Sequence, residues 1–467
     1  MMAALIRFSI RFPGVVIGFA LLILMYGAFQ IKQSPLNVFP EFSPTQVIIQ
    51  TESPGFSANL VETLVSKPIE NVISGTIGIK QIRSQSIPGL SVVTVIFDDD
   101  SDILMNRQLI SEKLSTVSSS LPSTIVPIIA PLTSSASSVL GIGLTSDTKN
   151  LSELRTIAET IIIPQLMSVP GVADVNRFGG LVKQFHVEID PKKLYQYQIT
   201  IKQILDAIKR SSSVQGAGFI ENNNQRIIIN AKGQTKTINE LSDAPVINLN
   251  NKTFRIKDVA NVKNGYAPSI SAVSINGVPG VYLSIQGQLG SDTYKLTQQL
   301  DDSLKSILPI LKKNNVKLFP DLFKPANFID ASIAGLKFDI IIGAILVISI
   351  LYFFLYNLKT AFISAVAIPL SLMSAISVMN YFNMGLNVMV LSGLAIALGE
   401  VVDDAIIDVE NIFRRLRQNK FKNPPTPIYK VVFDASMEVR KSVVFATIII
   451  VLVFIPLLSL SGVAGKL

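Results

Sequence analysis

The sequence has no cysteine, no tryptophan and a single histidine in 467 residues. Without cysteine there can be no disulfide, no thiolate metal site and no cysteine nucleophile. Glycine-rich phosphate loops, H-E-x-x-H motifs and hydrolase triads are also missing. The sequence therefore predicts no cofactor and no enzyme activity.

Charged residues are scarce as well. Only 16% of the residues are charged and 49% are hydrophobic, whereas about a quarter of the residues in soluble domains are charged. The formal net charge is +8, but the lysines and arginines cluster beside apolar runs. The composition therefore predicts a protein in a lipid bilayer, with no nucleic-acid partner.

Long uncharged runs predict five transmembrane helices. The first, Phe12 to Ile31, has 20 residues and would form a helix about 30 Å long, which is one hydrocarbon thickness. A cleaved signal peptide is the alternative, but this run is longer than a signal's apolar part and has no small-residue cleavage site. The five predicted spans are residues 12–31, 338–358, 360–382, 386–410 and 442–465.

Basic residues indicate which ends of these spans face the cytoplasm. Arg7 and Arg11 precede the first span, and basic residues outnumber acids in the loop 411–441 between the fourth and fifth spans. The positive-inside rule places both in the cytoplasm. Counting spans from there puts residues 32–336 outside, so a large extracytoplasmic domain is expected.

The pattern of apolar residues in the expected extracytoplasmic part predicts two related α/β units. Strands at 46–51, 79–85, 90–97 and 125–130 with helices at 57–74 and 102–118 follow the order of a ferredoxin-like split βαβ unit. A second copy begins with a strand at 138–145, a helix at 151–167 and a strand at 172–178. Gly78-Ile79 and Gly171-Val172 lie 93 residues apart, which indicates an internal duplication. The second copy resumes near residue 272, so residues 182–271 are interpreted as an inserted subdomain.

Five acidic residues stand together in the predicted fourth span: Glu400, Asp403, Asp404, Asp408 and Glu410. On an α-helix they share one face about 160 degrees wide. A carboxylate at mid-membrane costs about 2.5 to 3.5 kcal/mol, so such a group must face other helices, share a cation or take up protons. We therefore predict a proton relay. The alternative is that Asp408 and Glu410 are helix-end acids that pair with Arg414 or Arg415.

Three stretches resemble the resistance-nodulation-division permeases, in particular their heavy-metal efflux branch. They are residues 35–42, the segment 82–97 and Val409-Glu410-Asn411 with the arginines that follow. The similarity extends over essentially the whole chain. It implies a proton-driven homotrimer in a bacterial inner membrane that exports metal cations through a periplasmic adaptor protein and an outer-membrane channel.

The resemblance also implies roles for parts of this chain. Residues 40–131 would be the first porter subdomain, residues 137–181 with 272–330 the second, and residues 182–271 the docking subdomain. The family's proton carriers correspond to Asp403, Asp404 and Glu410. An acid common in the metal branch is replaced by Ala397, and Glu400 supplies a carboxylate one turn lower.

Other interpretations stay open. The Asp403-Asp404 pair is typical of the multidrug branch, so export of organic drugs is the alternative within transport. Permeases of the family are about twice as long, so an inactive truncated product is a second alternative. A membrane-anchored scaffold is a third, although a scaffold would not need intramembrane acids. The residues that bind a metal are not identified by the sequence.

Overall fold

A computed structural model describes residues 2–34, 36–117, 120–122, 125–213, 219–222, 225–228, 235–249, 252–269, 271–355, 358–382, 384–458 and 460. The chain begins with the short helix α1 (Met2–Arg11) and continues in the 21-residue helix α2 (Pro13–Gln33). Proline suits the first position of α2 because that residue needs no intrahelical N–H donor. The two-residue strand β1 (Leu36–Asn37) follows.

The first sheet has four strands, in the order β3-β4-β2-β5, with helices packed on one face. Its elements are β2 (Gln46–Glu52), α3 (Ala58–Val61), α4 (Lys67–Ile73), β3 (Ile79–Ile87), β4 (Leu90–Phe97), α5 (Ile103–Val117) and β5 (Ile128–Ile129). A π-helical turn joins α3 to α4. Gly89 has a φ of 81° in the Pro88-Gly89 turn between β3 and β4, a conformation that favours glycine. Alternate residues of β4, ending with Phe97, point into the core.

The second sheet starts with β6 (Thr133–Thr145), α6 (Leu151–Ile157), α7 (Ile163–Met167) and β7 (Val172–Gly179). Helix α6 begins in a capping box, in which Asn150 Oδ1 accepts a hydrogen bond from Glu153 N at 2.9 Å. Glu153 Oε2 in turn accepts one from Asn150 N at 3.0 Å. This local signal explains why the helix predicted at 151–167 is present, with a π-helical turn between its two segments.

Residues between β7 and the rest of the second sheet build a separate hydrophobic core, which includes Ile204, Phe254 and Ile256. Its elements are β8 (Lys183–Ile189), α8 (Pro191–Tyr197), α9 (Ile201–Ser212), β9 (Phe219–Asn222), β10 (Gln225–Ile228), α10 (Ile238–Ser242), β11 (Pro245–Leu249), β12 (Lys252–Arg255), α11 (Ile256–Val259) and β13 (Ala260–Tyr266). Strands β8 and β13 pair antiparallel and close this segment at its two ends.

The second sheet is completed after this segment, in the order β17-β6-β16-β7. The remaining elements are β14 (Ser274–Ile275), β15 (Val278–Pro279), β16 (Val281–Gln288), α12 (Thr293–Lys313) and β17 (Lys317–Phe323). Strand β16 lies between β6 and β7 and pairs antiparallel with both. Leu283 and Ile285 of β16 and Leu300 of α12 lie in the common core.

The elements described after β17 are four helices and the two-residue strand β18 (Leu386–Asn387). The helices are α13 (Ala326–Leu355), α14 (Leu358–Tyr381), α15 (Val388–Asn419) and α16 (Ile428–Leu458). Within the described residues, three helices are long and apolar enough to cross a membrane: Pro13–Ile31, Phe362–Tyr381 and Ile428–Leu457.

Helix bounds differ from the predicted spans where charged residues continue a helix beyond its apolar part. Helix α13 begins at Ala326 instead of residue 338, and α15 continues to Asn419. Helix α16 begins at Ile428, so most of the predicted basic loop 411–441 is helical. The predicted end of the fifth span at residue 465 lies outside the described residues.

Helices α2 and α14 approach closely. A Cβ atom placed on Gly27 would lie 2.6 Å from Met373 Cβ and 2.9 Å from the Met373 carbonyl oxygen, so only glycine fits at this crossing. Nearby, the Asn380 side-chain amide donates a hydrogen bond to Gln30 Oε1. These contacts fix the register of the two helices.

Candidate functional site

The predicted acids lie in the middle of α15, the longest helix described. Asn387 caps its first turn, since its Oδ1 accepts a hydrogen bond from Val390 N at 2.9 Å. From this cap the helix continues for 32 residues to Asn419. Glu400, Asp403, Asp404 and Glu410 therefore belong to one continuous helix, as the sequence predicts.

One edge of the acidic face packs against α16. Arg440 Nη2 donates to Asp408 Oδ2 at 2.5 Å, and Ser436 Oγ donates to Asp408 Oδ1 at 3.5 Å. Thr447 Oγ1 lies 3.5 Å from Asp404 Oδ2. Asp408 thus has an arginine partner, but it is Arg440 and not Arg414 or Arg415, the partners named in the alternative interpretation.

The other edge of the acidic face is open. Glu400, Asp403 and Glu410 are exposed, whereas Asp404 and Asp408 are half-buried. No ion pair to Glu400, Asp403 or Glu410 is formed by the described residues. The four predicted proton carriers therefore have different surroundings. Asp404 contacts α16, whereas Glu400, Asp403 and Glu410 face outward along α15.

A polar network on the carboxyl-terminal side of the acidic residues of α15 holds α15 and α16 together. Asn411 is buried, and its Nδ2 donates to the Ala435 carbonyl at 2.9 Å and to Glu438 Oε2 at 3.3 Å. Two nitrogens of Arg415 bind Glu438, at 2.5 and 3.0 Å. The sequence alone did not predict this network or the Asp408–Arg440 pair. The sequence nevertheless contains a signal for the Asp408–Arg440 pair. Both residues lie equally far in sequence from Pro424, in the connection between α15 and α16, and two antiparallel helices bring such positions together.

The amino-terminal end of α15 is connected to the second sheet through Asn37. Strand β1 pairs parallel with β18, opposing Asn37 to Asn387. Asn37 Oδ1 accepts hydrogen bonds from Thr293 N at 3.1 Å and from Thr293 Oγ1 at 2.8 Å, at the start of α12. One short strand pair thus joins the first residue of α12 to the capping residue of α15.

A largely apolar cavity of about 840 Å³ lies beside this connection. Phe39, Phe323, Phe328 and Met389 contribute apolar surface, and Thr293 contributes a hydroxyl. Within the described part of the chain, no group of three or more histidine, aspartate or glutamate side chains is placed to hold a metal ion.

Comparison with known proteins identifies the family. A sequence profile described as the AcrB/AcrD/AcrF family matches residues 5–467. The chain belongs to this family. The AcrB/AcrD/AcrF family match confirms the resemblance to resistance-nodulation-division permeases, and the chain corresponds to their amino-terminal half.

Two curated relatives match almost all of this chain, and the name of one of them refers to metals. The chain is 30% identical over 454 residues to the cobalt-zinc-cadmium resistance protein CzcA of Cupriavidus metallidurans, covering 94% of this chain and 42% of that protein. It is 32% identical over 479 residues to Protein HelA of Legionella pneumophila, covering 100% and 45%. The chain therefore spans about half the length of these relatives.

A solved structure supports the same fold. The X-ray crystal structure of a heavy metal efflux pump matches this chain with a TM-score of 0.84 at 27% identity, covering 100% of this chain and 45% of the pump. The fold is therefore the AcrB-type permease fold.

Proposed function

We propose that this chain forms the amino-terminal half of a proton-driven exporter of transition-metal cations in a bacterial inner membrane. The observation that carries the proposal is the open carboxylate edge on α15, next to helices apolar enough to span a bilayer. The relative named for cobalt, zinc and cadmium resistance supports a metal cation as the substrate.

Asp403, Asp404, Glu410 and Glu400 are the proposed proton carriers. An ionised carboxylate at mid-membrane costs about 2.5 to 3.5 kcal/mol, and proton uptake removes this cost. Asp408 is not among the proposed proton carriers, because Arg440 already balances its charge. Asp403 and Glu410 are free of ion pairs among the described residues, so their edge is available to a basic side chain from the second half of the transporter. Such a partner would exchange its ion pair as protons bind and leave.

The Asn37 connection provides a route from these carriers to the periplasmic part. A shift of α15 along its axis would move Asn387, and with it the β18–β1 pair and Asn37. Asn37 would then pull on the first residue of α12 through its two hydrogen bonds. We therefore assign α12 the role of the periplasmic element that follows the protonation state of α15.

The architecture we propose has five spans, α2, α13, α14, α15 and α16, and a duplicated porter region. The two four-stranded sheets have the same strand order when each is numbered from its own first strand, which supports duplication. Residues 40–131 are assigned to the first porter subdomain, and 137–181 with 272–330 to the second. The separate core of residues 182–271 supports a docking subdomain. The complete transporter is proposed to be a homotrimer that meets an adaptor protein and an outer-membrane channel.

Export of organic drugs is the second candidate function. The apolar cavity of about 840 Å³ favours it, because its phenylalanine-rich wall suits an apolar ligand better than a metal ion. The adjacent carboxylates Asp403 and Asp404 fit either substrate class. Growth assays distinguish the two candidates.

The test is growth of a sensitive bacterial strain that expresses the complete transporter and its partners. We expect increased tolerance to cobalt, zinc or cadmium, and loss of this tolerance in the Asp403→Asn/Asp404→Asn variant, because the amides keep the side-chain shape but cannot carry protons. The amount of folded membrane protein should not change. Glu112→Gln, at an exposed position of α5, is the matched control and should preserve tolerance.

Two results would contradict the proposal. Protection against dyes or detergents alone would identify a drug exporter. Full metal tolerance in the double asparagine variant would exclude Asp403 and Asp404 as the proton carriers.

A further inference from the structure

A second cavity lies where the first helix of the chain meets the start of α16. It has a volume of about 570 Å³. Arg7, Ile10 and Arg11 of α1 form one wall, and Lys430 and Phe433 belong to the α16 wall. The two walls come from opposite ends of the sequence, so the cavity exists only in the folded protein.

The cavity has an excess of positive charge. Arg7, Arg11 and Lys430 line it with one acid, Asp434. Among the described residues none of the three cations forms an ion pair. By contrast, Arg415 and Arg440, elsewhere on the same pair of helices α15 and α16, bind Glu438 and Asp408. The cavity thus offers uncompensated charge that an anion can neutralise.

Aromatic rings fix part of this charge in place. The Arg7 guanidinium carbon lies 5.2 Å from the centre of the Phe433 ring, within the range of a cation–π contact. Arg11 has a similar contact, at 5.6 Å, with Phe12. Such contacts hold a guanidinium flat and leave its N–H donors free for the oxygens of a phosphate group.

The cavity lies at the ends of two candidate membrane spans. The candidate spans Pro13–Ile31 and Ile428–Leu457 both begin beside it. Leu5 and Phe8 are exposed at a spacing that places them on one face of α1, and Phe12, which directly follows α1, is exposed as well. Helix α1 therefore has the apolar and basic faces of a helix that lies in the plane of a membrane interface.

We propose that this cavity binds the headgroup of an anionic phospholipid. The phosphate contacts Arg7, Arg11 and Lys430, and the acyl chains run along Leu5, Phe8 and Phe12. A membrane lipid accounts for the charge and the apolar stripe together, whereas a soluble phosphate would use only the charge. Basic pockets at helix ends on a membrane surface bind such headgroups. The proposal does not depend on which substrate the transporter exports.

The experiment measures lipid retained by the complete protein, purified from vesicles of equal parts phosphatidylglycerol and phosphatidylcholine and analysed by native mass spectrometry. The wild type should retain phosphatidylglycerol selectively. We expect Arg7→Gln/Arg11→Gln/Lys430→Gln to lower this retention about tenfold or more, because each basic residue near the surface contributes to the attraction. Asp434→Asn should raise retention, since it removes the one opposing charge.

Matched controls separate a specific site from general attraction and from misfolding. Arg417→Gln/Lys420→Gln/Lys422→Gln removes three exposed charges outside the cavity and should leave retention unchanged. Arg7→Lys/Arg11→Lys keeps the charge and should retain lipid at a level close to that of the wild type. Equal loss in both triple variants, unchanged retention in the cavity triple variant, or displacement of the lipid by millimolar inorganic phosphate would each overturn the proposal.

Discussion

At the scale of single residues, the two side chains of the Asp408–Arg440 pair differ in their exposure to solvent. The Asp408 side chain is 18% exposed and the Arg440 side chain 42%. Loss of the arginine therefore leaves a carboxylate with little access to water, whereas loss of the aspartate leaves a guanidinium that water can reach.

We expect Arg440→Ala to destabilise the protein by about 1 to 2 kcal/mol and Asp408→Ala by less than about 1 kcal/mol, values between those of exposed and buried pairs. The measurement is the midpoint of thermal unfolding in detergent for both single variants and for the double variant. Less destabilisation in the double variant than in Arg440→Ala would show that the unpaired carboxylate causes the loss. A larger effect of Asp408→Ala than of Arg440→Ala contradicts this account.

The candidate site was predictable only in part at this scale. Helical spacing placed Asp403, Asp404 and Glu410 on one face because that pattern is local to a single helix. The assignment of Asp408 to Arg440 depends on how two helices pair, and the charges of Arg414 and Arg415 lie nearer in sequence. Proximity in sequence therefore suggested the wrong partner.

At the scale of elements, the crossing of α2 and α14 depends on one glycine. Gly27→Ala would place a methyl group about where Met373 Cβ and the Met373 carbonyl now lie, so the two helices must separate. We expect a clear fall in the unfolding temperature and in the yield of folded protein. Gly18→Ala is the control on the same helix, because no atom lies within 4 Å of the added Cβ. Equal behaviour of the two variants contradicts close packing at Gly27.

The connection between α12 and α15 gives a prediction about coupling. Asn37→Ala removes the acceptor of two hydrogen bonds, each contributing about 1 kcal/mol. We expect metal flux to fall at least about threefold while the amount of folded protein is maintained, since a coupling change of this size is of order 1 kcal/mol. The readout is metal uptake into inverted vesicles under a fixed proton gradient.

Asn37→Asp serves as the control for this connection. It keeps an acceptor for Thr293 N and Thr293 Oγ1, and its negative charge is favourable at the start of α12, so flux should recover. Normal flux in Asn37→Ala would remove α12 from the proposed route. Loss of flux only together with loss of folded protein would make Asn37 a purely structural residue.

Elements were predictable where their signals are local. Strand Leu90–Phe97 and helix Leu151–Met167 are confirmed, because alternating apolar residues define the first and a capping box begins the second. The extension of α15 to Asn419 was not predicted. Charged residues end an apolar run but do not end a helix. Hydropathy therefore predicts the bounds of the apolar run, and it does not predict how far the helix continues beyond that run.

At the scale of the whole molecule, charge predicts opposite locations for two surface positions. A reporter fused near Asn222 should report the periplasm, and one fused in the connection between α15 and α16, at residues 420–427, should report the cytoplasm. The reason is that α13, α14 and α15 separate the two positions in the proposed five-span architecture. Alkaline phosphatase and green fluorescent protein fusions provide the measurement. Matching signals at both positions would be incompatible with that architecture.

The strand order of the second sheet also determines when that sheet can form during synthesis. Strands β6 and β7 are not neighbours, and each pairs with β16, which is made about one hundred residues after β7. At ribosomal rates of about 5 to 20 residues per second, β7 waits about 5 to 20 s for this shared partner, and β6, which is made earlier, waits longer. The first sheet has no such delay, since β2 and β4 pair within 52 consecutive residues, 46 to 97. The nascent chain therefore carries two unpaired strands, with apolar residues such as Leu140 and Val175, throughout translation of the intervening segment.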